Sequence, residues 1–271
     1  MTHEDAPTTP DLWNVRPVPE PASLVEQDAR TDEIFDRDVL SPAPEGLNLT
    51  PMGVGLPVTQ EHVDRFTPVL PRSVLHIWRR FGFDGFSGGV FWITDPLLWA
   101  PVVQAWLDPV IDQMPFTDTW HCLARNAMGS MFLWGENTGH SLEIDPVYHE
   151  VIVDQLARRT FADPGRREQQ GRVAIVHAAD TGLTTALDEH GRPLPPQALE
   201  RLGPLRADQV YGFTLPPALG GALSVDNLHI IDAATYLTLQ AQQTTITVCD
   251  PVGDSWNEIA PVIHVDPTTR S

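Results

Sequence analysis

The residues best equipped for chemistry are ten histidines and a surplus of acids, spread through a 271-residue chain. Nine of the histidines are His62, His76, His121, His140, His149, His177, His190, His229 and His264. None is spaced as His-x-x-x-His on a helix, and there is no Cys-x-x-Cys, so no metal-ligand pattern is legible. His121 adjoins Cys122, but neighbours on a strand face opposite ways and would not share one ion. Gly85-Phe86-Ser87-Gly88-Gly89 spells the letters of a nucleophile elbow. It precedes a strand, whereas an elbow must join a strand to a helix. With no Lys in the chain there is no phosphate loop. An acid–base pair such as Asp95 with His121 is the remaining catalytic option. The expectation is a protein without catalysis, metal or cofactor.

The elements that would position these residues follow from punctuation and periodicity. Thr59 caps a predicted helix running to about Leu70, with Val63, Phe66 and Leu70 on one side. Pro71 opens a second, with Val74, Leu75, Ile77, Trp78 and Phe81 as its apolar face and Gly82 as its stop. Val90-Phe91-Trp92-Ile93 reads as a buried strand. Asp95-Pro96 starts a third helix carrying Trp99, Val102, Val103 and Trp106. His121–Arg125, Ser130–Trp134 and Ser141–Ile144 read as strands, the last two joined by a turn at Glu136–Gly139. Pro146 opens a further predicted helix through Val147, Val151, Leu156 and Ala157. The polar run Asp163–Gly171 reads as a boundary, and Arg172–Ala178 as a strand. Pro195-Pro196 starts a helix through Leu202, and Asp232 another to about Gln242. Six of eight Trp lie between Trp78 and Trp134, which marks a core. Trp13 and Trp120 lie in weakly patterned surroundings and read as exposed.

The predicted fold class is α+β, in two small domains. Each has a mainly antiparallel or mixed sheet packed with helices, over residues 47–150 and 151–243. Residues 1–46 read as an acidic, Pro-rich, flexible arm, with a short helix around Ala29–Val39, and 244–271 as a tail.

All seventeen basic residues are Arg, and the net charge is −19. Such a charge repels nucleic acid and anionic membranes and speeds encounter with a basic partner; it also serves solubility alone. No apolar run is long enough to span a bilayer. Met1-Thr2-His3-Glu4-Asp5 lacks the start of a signal peptide, so the cytoplasm is the expected location. Asp84, Asp95, Glu136, Glu143 and Asp145 sit near turns or helix starts. They read either as capping and solvation or as a negative face for a basic partner. With Phe86, Trp120 and Tyr211 they are the expected contact residues.

Pro71–Phe83, Gly88–Ile93 with Asp95-Pro96, and Ala124–Gly129 with Phe132–Gly139 together resemble a GAD-like domain. Leu202–Phe213, Pro217–Gly221, Asn227-Leu228 and Tyr236–Gln242 are similar to the C-terminal domain of type VI secretion DNase-immunity proteins. The resemblance implies an immunity protein whose partner is the catalytic domain of a cognate toxin, a basic nuclease. The chain departs from the family at Asn126–Met131, where a Ser-Ala-Phe-Gly-Asp-Leu-like stretch is usual. Beside this stand a scaffold that binds an endogenous protein and a cryptic hydrolase.

Overall fold

The computed structural model describes residues 23–243 and 245–250. Helix α1 (Leu24–Phe35) is capped by the Ser23 hydroxyl, which accepts from the Glu26 N–H, and it runs on into a π turn at Asp36–Leu40. The arm expected to be flexible is therefore folded from Ser23 onward; Trp13 and the rest of residues 1–22 lie outside the described residues. Two apolar anchors dock this charged segment. Phe35 and Val39 are fully buried, with Phe35 stacked against Phe81 and Phe86. Its acids face arginines of the next layer: Asp28 pairs with Arg72 at 2.6 Å and Asp32 with Arg80 at 2.9 Å.

Helix α2 (Gln60–Phe66) opens with a capping box in which the His62 ring returns to the Thr59 N–H. Helix α3 (Arg72–Phe81) follows Pro71 and stops at Gly82, whose φ of 65° suits a residue without Cβ. Pro71 has no side-chain cap to offer. Glu168 supplies it from far along the chain, accepting from the Arg72 N–H at 2.9 Å and the Ser73 N–H at 2.8 Å. A carboxylate is favoured there by the orphan N–H groups and the helix dipole.

The main sheet has the order β1 (Gly85–Phe86), β2 (Phe91–Ile93), β3 (Trp120–Asn126), β4 (Met131–Gly135), β5 (Gly139–Asp145), β6 (Glu150–Val153) and β9 (Thr247–Cys249). Neighbours are antiparallel except β6 and β9. Between β2 and β3 comes helix α4 (Pro96–Leu107), capped by Asp95. After β6 come α5 (Gln155–Thr160) and the long α6 (Pro164–Thr184). Then follow α7 (Leu194–Leu202), the hairpin β7 (Gln209–Phe213) and β8 (Leu228–Asp232), and α8 (Ala233–Gln243). The class is α+β, as the sequence indicated. Among the described residues no helix is long and apolar enough to cross a membrane.

Two predicted elements are corrected. The helix expected from Pro146 is a turn leading into β6. The strand expected at Arg172–Ala178 is the middle of α6, and the polar run before it is that helix's first turns. The Asp163 carboxylate accepts from the Arg166 N–H at 2.8 Å and Pro164 takes the first helical position. This is the same Asp-Pro start that opens α4. Small residues then let α6 lie close on its neighbours: a Cβ at Gly182 would sit 2.4 Å from the Val90 carbonyl.

The sheet is covered on both faces. Phe132 and Trp134 point to the layer of α1, α3 and α6, while Met131 and Leu133 point to α4 and α8. That is why β3 and β4 are buried at every position instead of alternating with solvent. The tail was expected outside the fold, yet Thr247–Cys249 returns as the seventh strand, beyond α8 in sequence. A third, smaller cluster joins α7 and the β7–β8 hairpin to the β3–β4 turn through Met128, Leu205 and Tyr211. Asn126 organises that turn: its side-chain carbonyl accepts from the Met128 and Ser130 N–H groups, both at 3.0 Å.

Candidate functional site

The eight expected contact residues do not form one surface. Phe86 and Tyr211 are fully buried and offer nothing to a partner. Phe86 lies in the aromatic core with Phe35, Phe81 and Phe91, and the Tyr211 hydroxyl donates to the Gly203 carbonyl at 2.7 Å. Trp120, expected to be exposed, is buried in the second core as the first residue of β3. Asp84 is buried and clamps the Gly53 and Val54 N–H groups at 2.7 and 3.0 Å. Asp145 accepts from the Val147 N–H at 2.9 Å and the Tyr148 N–H at 3.4 Å, while burial pushes its carboxyl up to about 6. Glu136 meets the His121 ring at 2.9 Å. The Asp95–His121 pair is not formed, because Asp95 faces His62 at 3.1 Å and also caps α4.

Asp95 borders a cavity. A notch of about 250 Å3 opens between α4, the β2–β3 part of the sheet, and the start of α8. Its lining includes the buried Asp95, the exposed Asp208 and Asp232, and two exposed leucines, Leu56 and Leu98. Its floor is Arg125. This residue is the last but one of β3 and is completely buried. Its guanidinium lies between the rings of Trp92 and Trp99, at 5.3 and 5.2 Å from their centroids. It donates to the Asn126 carbonyl at 3.2 Å and to the Ala207 carbonyl, just before β7, at 2.9 Å. Its Nε has no partner among the described residues. Burial pulls the guanidinium down to about 9, against smaller support from Cys122 and Asp208. Arg125 thus pins the hairpin segment to the sheet and forms the notch floor. The sequence held one signal for it, a lone charge inside a buried strand run; nothing in the spacing indicated that Asp208 and Asp232 would line the same notch.

A second grouping lies on the α6 face. His140 and Glu143 of β5 and His177 of α6 bring one ligand atom each to within 4.8 Å of one another. Glu143 Oε1 is 3.1 Å from His140 Nε2 and 2.9 Å from His177 Nδ1. Burial alone would push the Glu143 carboxyl up; the two histidines outweigh it and hold it down at about 2. In a regular strand, positions three apart face opposite ways. Here the register with β4 shifts between Leu133–Leu142 and Gly135–Gly139, and the bulge turns His140 to the side of Glu143. Among the described residues these are the ones best placed to hold a metal ion.

Residues 49–148 match the GAD-like domain family. Residues 184–244 match the family described as T6SS immunity protein Tdi1, C-terminal. Comparison with curated proteins yields no match. The crystal structure of Atu4351 from Agrobacterium tumefaciens is similar, at a TM-score of 0.65 and 25% identity, over 77% of this chain and 91% of that one. The notch draws its lining from both matched segments, Leu56 to Arg125 from one and Ala207 to Ala234 from the other. The two family matches, GAD-like over residues 49–148 and T6SS Tdi1 C-terminal over residues 184–244, follow one another in the order that the sequence motifs indicated.

Proposed function

We propose that this chain is an immunity protein that binds a cognate secreted toxin, a nuclease, and neutralises it stoichiometrically by covering its active site or blocking access of DNA. The observation that carries this reading is the pair of family matches, GAD-like then Tdi1-type, in one chain and in that order. The charge supports it: −19 favours encounter with a cationic nucleic-acid-binding surface.

The seam notch is the surface best suited to the contact. The exposed carboxylates of Asp208 and Asp232 complement basic side chains. The exposed Leu56 and Leu98 supply apolar area, which a tight interface needs at its centre. Both matched segments contribute to it, so docking there would engage both. The protein's role is occupancy and not turnover.

The test mixes the purified chain with the toxin encoded beside its gene. An equimolar complex on size exclusion and an end to DNA cleavage at a one-to-one ratio are expected. Persistent cleavage with no complex would overturn the reading. A complex that forms without any toxic activity in the partner would favour a scaffold of an endogenous protein instead.

A further inference from the structure

The His140–Glu143–His177 grouping contains a contradiction that a neutral His140 ring does not resolve. His140 Nδ1 lies 3.1 Å from the Leu133 carbonyl oxygen. A carbonyl only accepts, so Nδ1 carries the proton of the ring. In the neutral ring Nε2 is then a bare lone pair, and it faces the Glu143 carboxylate oxygen at 3.1 Å. Two acceptors meet unless a cation lies between them: an extra proton on the ring, or a metal ion.

Three features favour the metal. First, a histidine with Nδ1–H on a backbone carbonyl and Nε2 directed inward is the usual orientation of a metal ligand, its tautomer fixed from behind. Second, a third donor converges on the same point. His177, from a different element, brings Nδ1 to 2.9 Å of the same Oε1. Zn–N and Zn–O bonds of about 2.0–2.1 Å place neighbouring ligand atoms roughly 2.9–3.4 Å apart, depending on coordination number. The two observed edges, 2.9 and 3.1 Å, fall in that range. Third, the strand is bulged at the position needed to bring His140 and Glu143 to one side. Bulges that re-aim a side chain recur beside functional sites.

We propose that His140 Nε2, Glu143 Oε1 and His177 Nδ1 form a binding site for one divalent transition-metal cation of the Zn2+ type. The donor set, two imidazoles and one carboxylate, suits Zn2+ and Co2+ over Ca2+ and Mg2+, which take oxygen ligands. His140 is enclosed, whereas a third of the His177 side chain is exposed, so the ion is reached from the α6 side. Three protein ligands leave a further position for water or for a ligand atom from a partner. Bound there, the ion clips α6 to β5.

The test uses the full chain, stripped with a chelator and titrated with ZnCl2 by calorimetry, then with CoCl2 by visible absorption. Expected are one equivalent of Zn2+ at micromolar affinity or tighter, Co2+ d–d bands, and a rise in thermal midpoint on adding Zn2+. His177→Gln and Glu143→Gln should each weaken binding at least tenfold and abolish the bands. His190→Gln, on an exposed ring elsewhere, should leave both unchanged. Because His177 is partly exposed, its variant is checked for folding by circular dichroism, and the Zn2+-dependent midpoint rise is compared within each protein. The proposal is overturned if wild type takes up no stoichiometric metal at 100-micromolar concentration (~10-fold or more above the affinity expected of such a site), or if binding survives in both Gln variants. The bond between His140 and Glu143 is then closed by a proton.

Discussion

Leu98 offers a way to separate docking from folding. It is 63% exposed in the third position of α4, on the rim of the seam notch. Full burial of a leucine side chain is worth about 1.5–3 kcal/mol. Covering the exposed fraction would therefore contribute about 1–2 kcal/mol to a complex. At 1.4 kcal/mol per decade, Leu98→Ala should raise the toxin Kd by about 5- to 30-fold. Its cost to folding is small, roughly 0.5–1 kcal/mol for the covered part, offset in part by the higher helix propensity of Ala. Leu98→Arg adds a second effect: it sets a positive charge in a face read as the seat of a basic partner. Its Kd should exceed that of the Ala variant by a further factor of about ten, shrinking as salt rises. Leu239→Ala, at a residue 48% exposed on α8 and outside the notch lining, is the control and should change Kd less than twofold. Binding would be read by biolayer interferometry and folding by urea denaturation on the same samples. If Leu98→Ala leaves Kd within twofold, or the control does as much damage, the notch is not the docking surface. If Leu98→Arg binds as well as Leu98→Ala at low salt, the partner's facing surface is not basic.

Other outcomes follow from single observations. Phe35 is 2% exposed, so Phe35→Ala should cost about 3–4 kcal/mol in urea denaturation; a loss under 1 kcal/mol would mean α1 is not docked in solution. Glu168→Ala orphans the Arg72 and Ser73 N–H groups and should cost about 2–3 kcal/mol, with Glu168→Gln, which keeps one acceptor, losing about half. Equal losses in the two variants would refute the capping role. His149 is buried against Trp106 and bonded to Gln240; burial holds its ring below the ordinary histidine range, against that bond. A group depressed in the folded state contributes stability above its unfolded value, near 6.5, and loses it as pH falls through the folded one. The stability advantage of wild type over His149→Asn, a residue that tolerates the φ of 57°, should therefore shrink between pH 7.5 and 5. A constant difference across that range would show that His149 does not govern it.

Local chemistry made much of the fold legible. Asp95-Pro96, Pro71 with Gly82, and the Glu136–Gly139 turn each carry their own instruction, because a cap, a fixed φ or a positive φ acts within a few residues. The strands around Trp92 and Trp134 were readable for the same reason, and so was the α+β class. Two segments were misread where composition and packing disagree. Arg172–Ala178 has β-branched residues and looked like a strand, but the Asp163-Pro164 start and the small residues facing the sheet make it helix α6. The acidic arm was read as flexible apart from a short helix around Ala29–Val39, yet it is helical from Leu24, held by two buried side chains and by arginines over forty positions away.

The sites lay furthest from view. By itself the sequence determined the chain's charge, most of its element types, and a family resemblance strong enough to indicate a binding protein. Which residues meet was decided only by tertiary structure. Arg125 reaches Ala207 across 82 positions and Glu143 reaches His177 across 34. Pairs that distant leave no spacing to read, because their proximity is set by how helices cover the sheet. Where a bulge breaks the two-residue period, as between His140 and Glu143, even neighbours on one strand cannot be assigned a face from sequence, since the shift belongs to the pairing with β4.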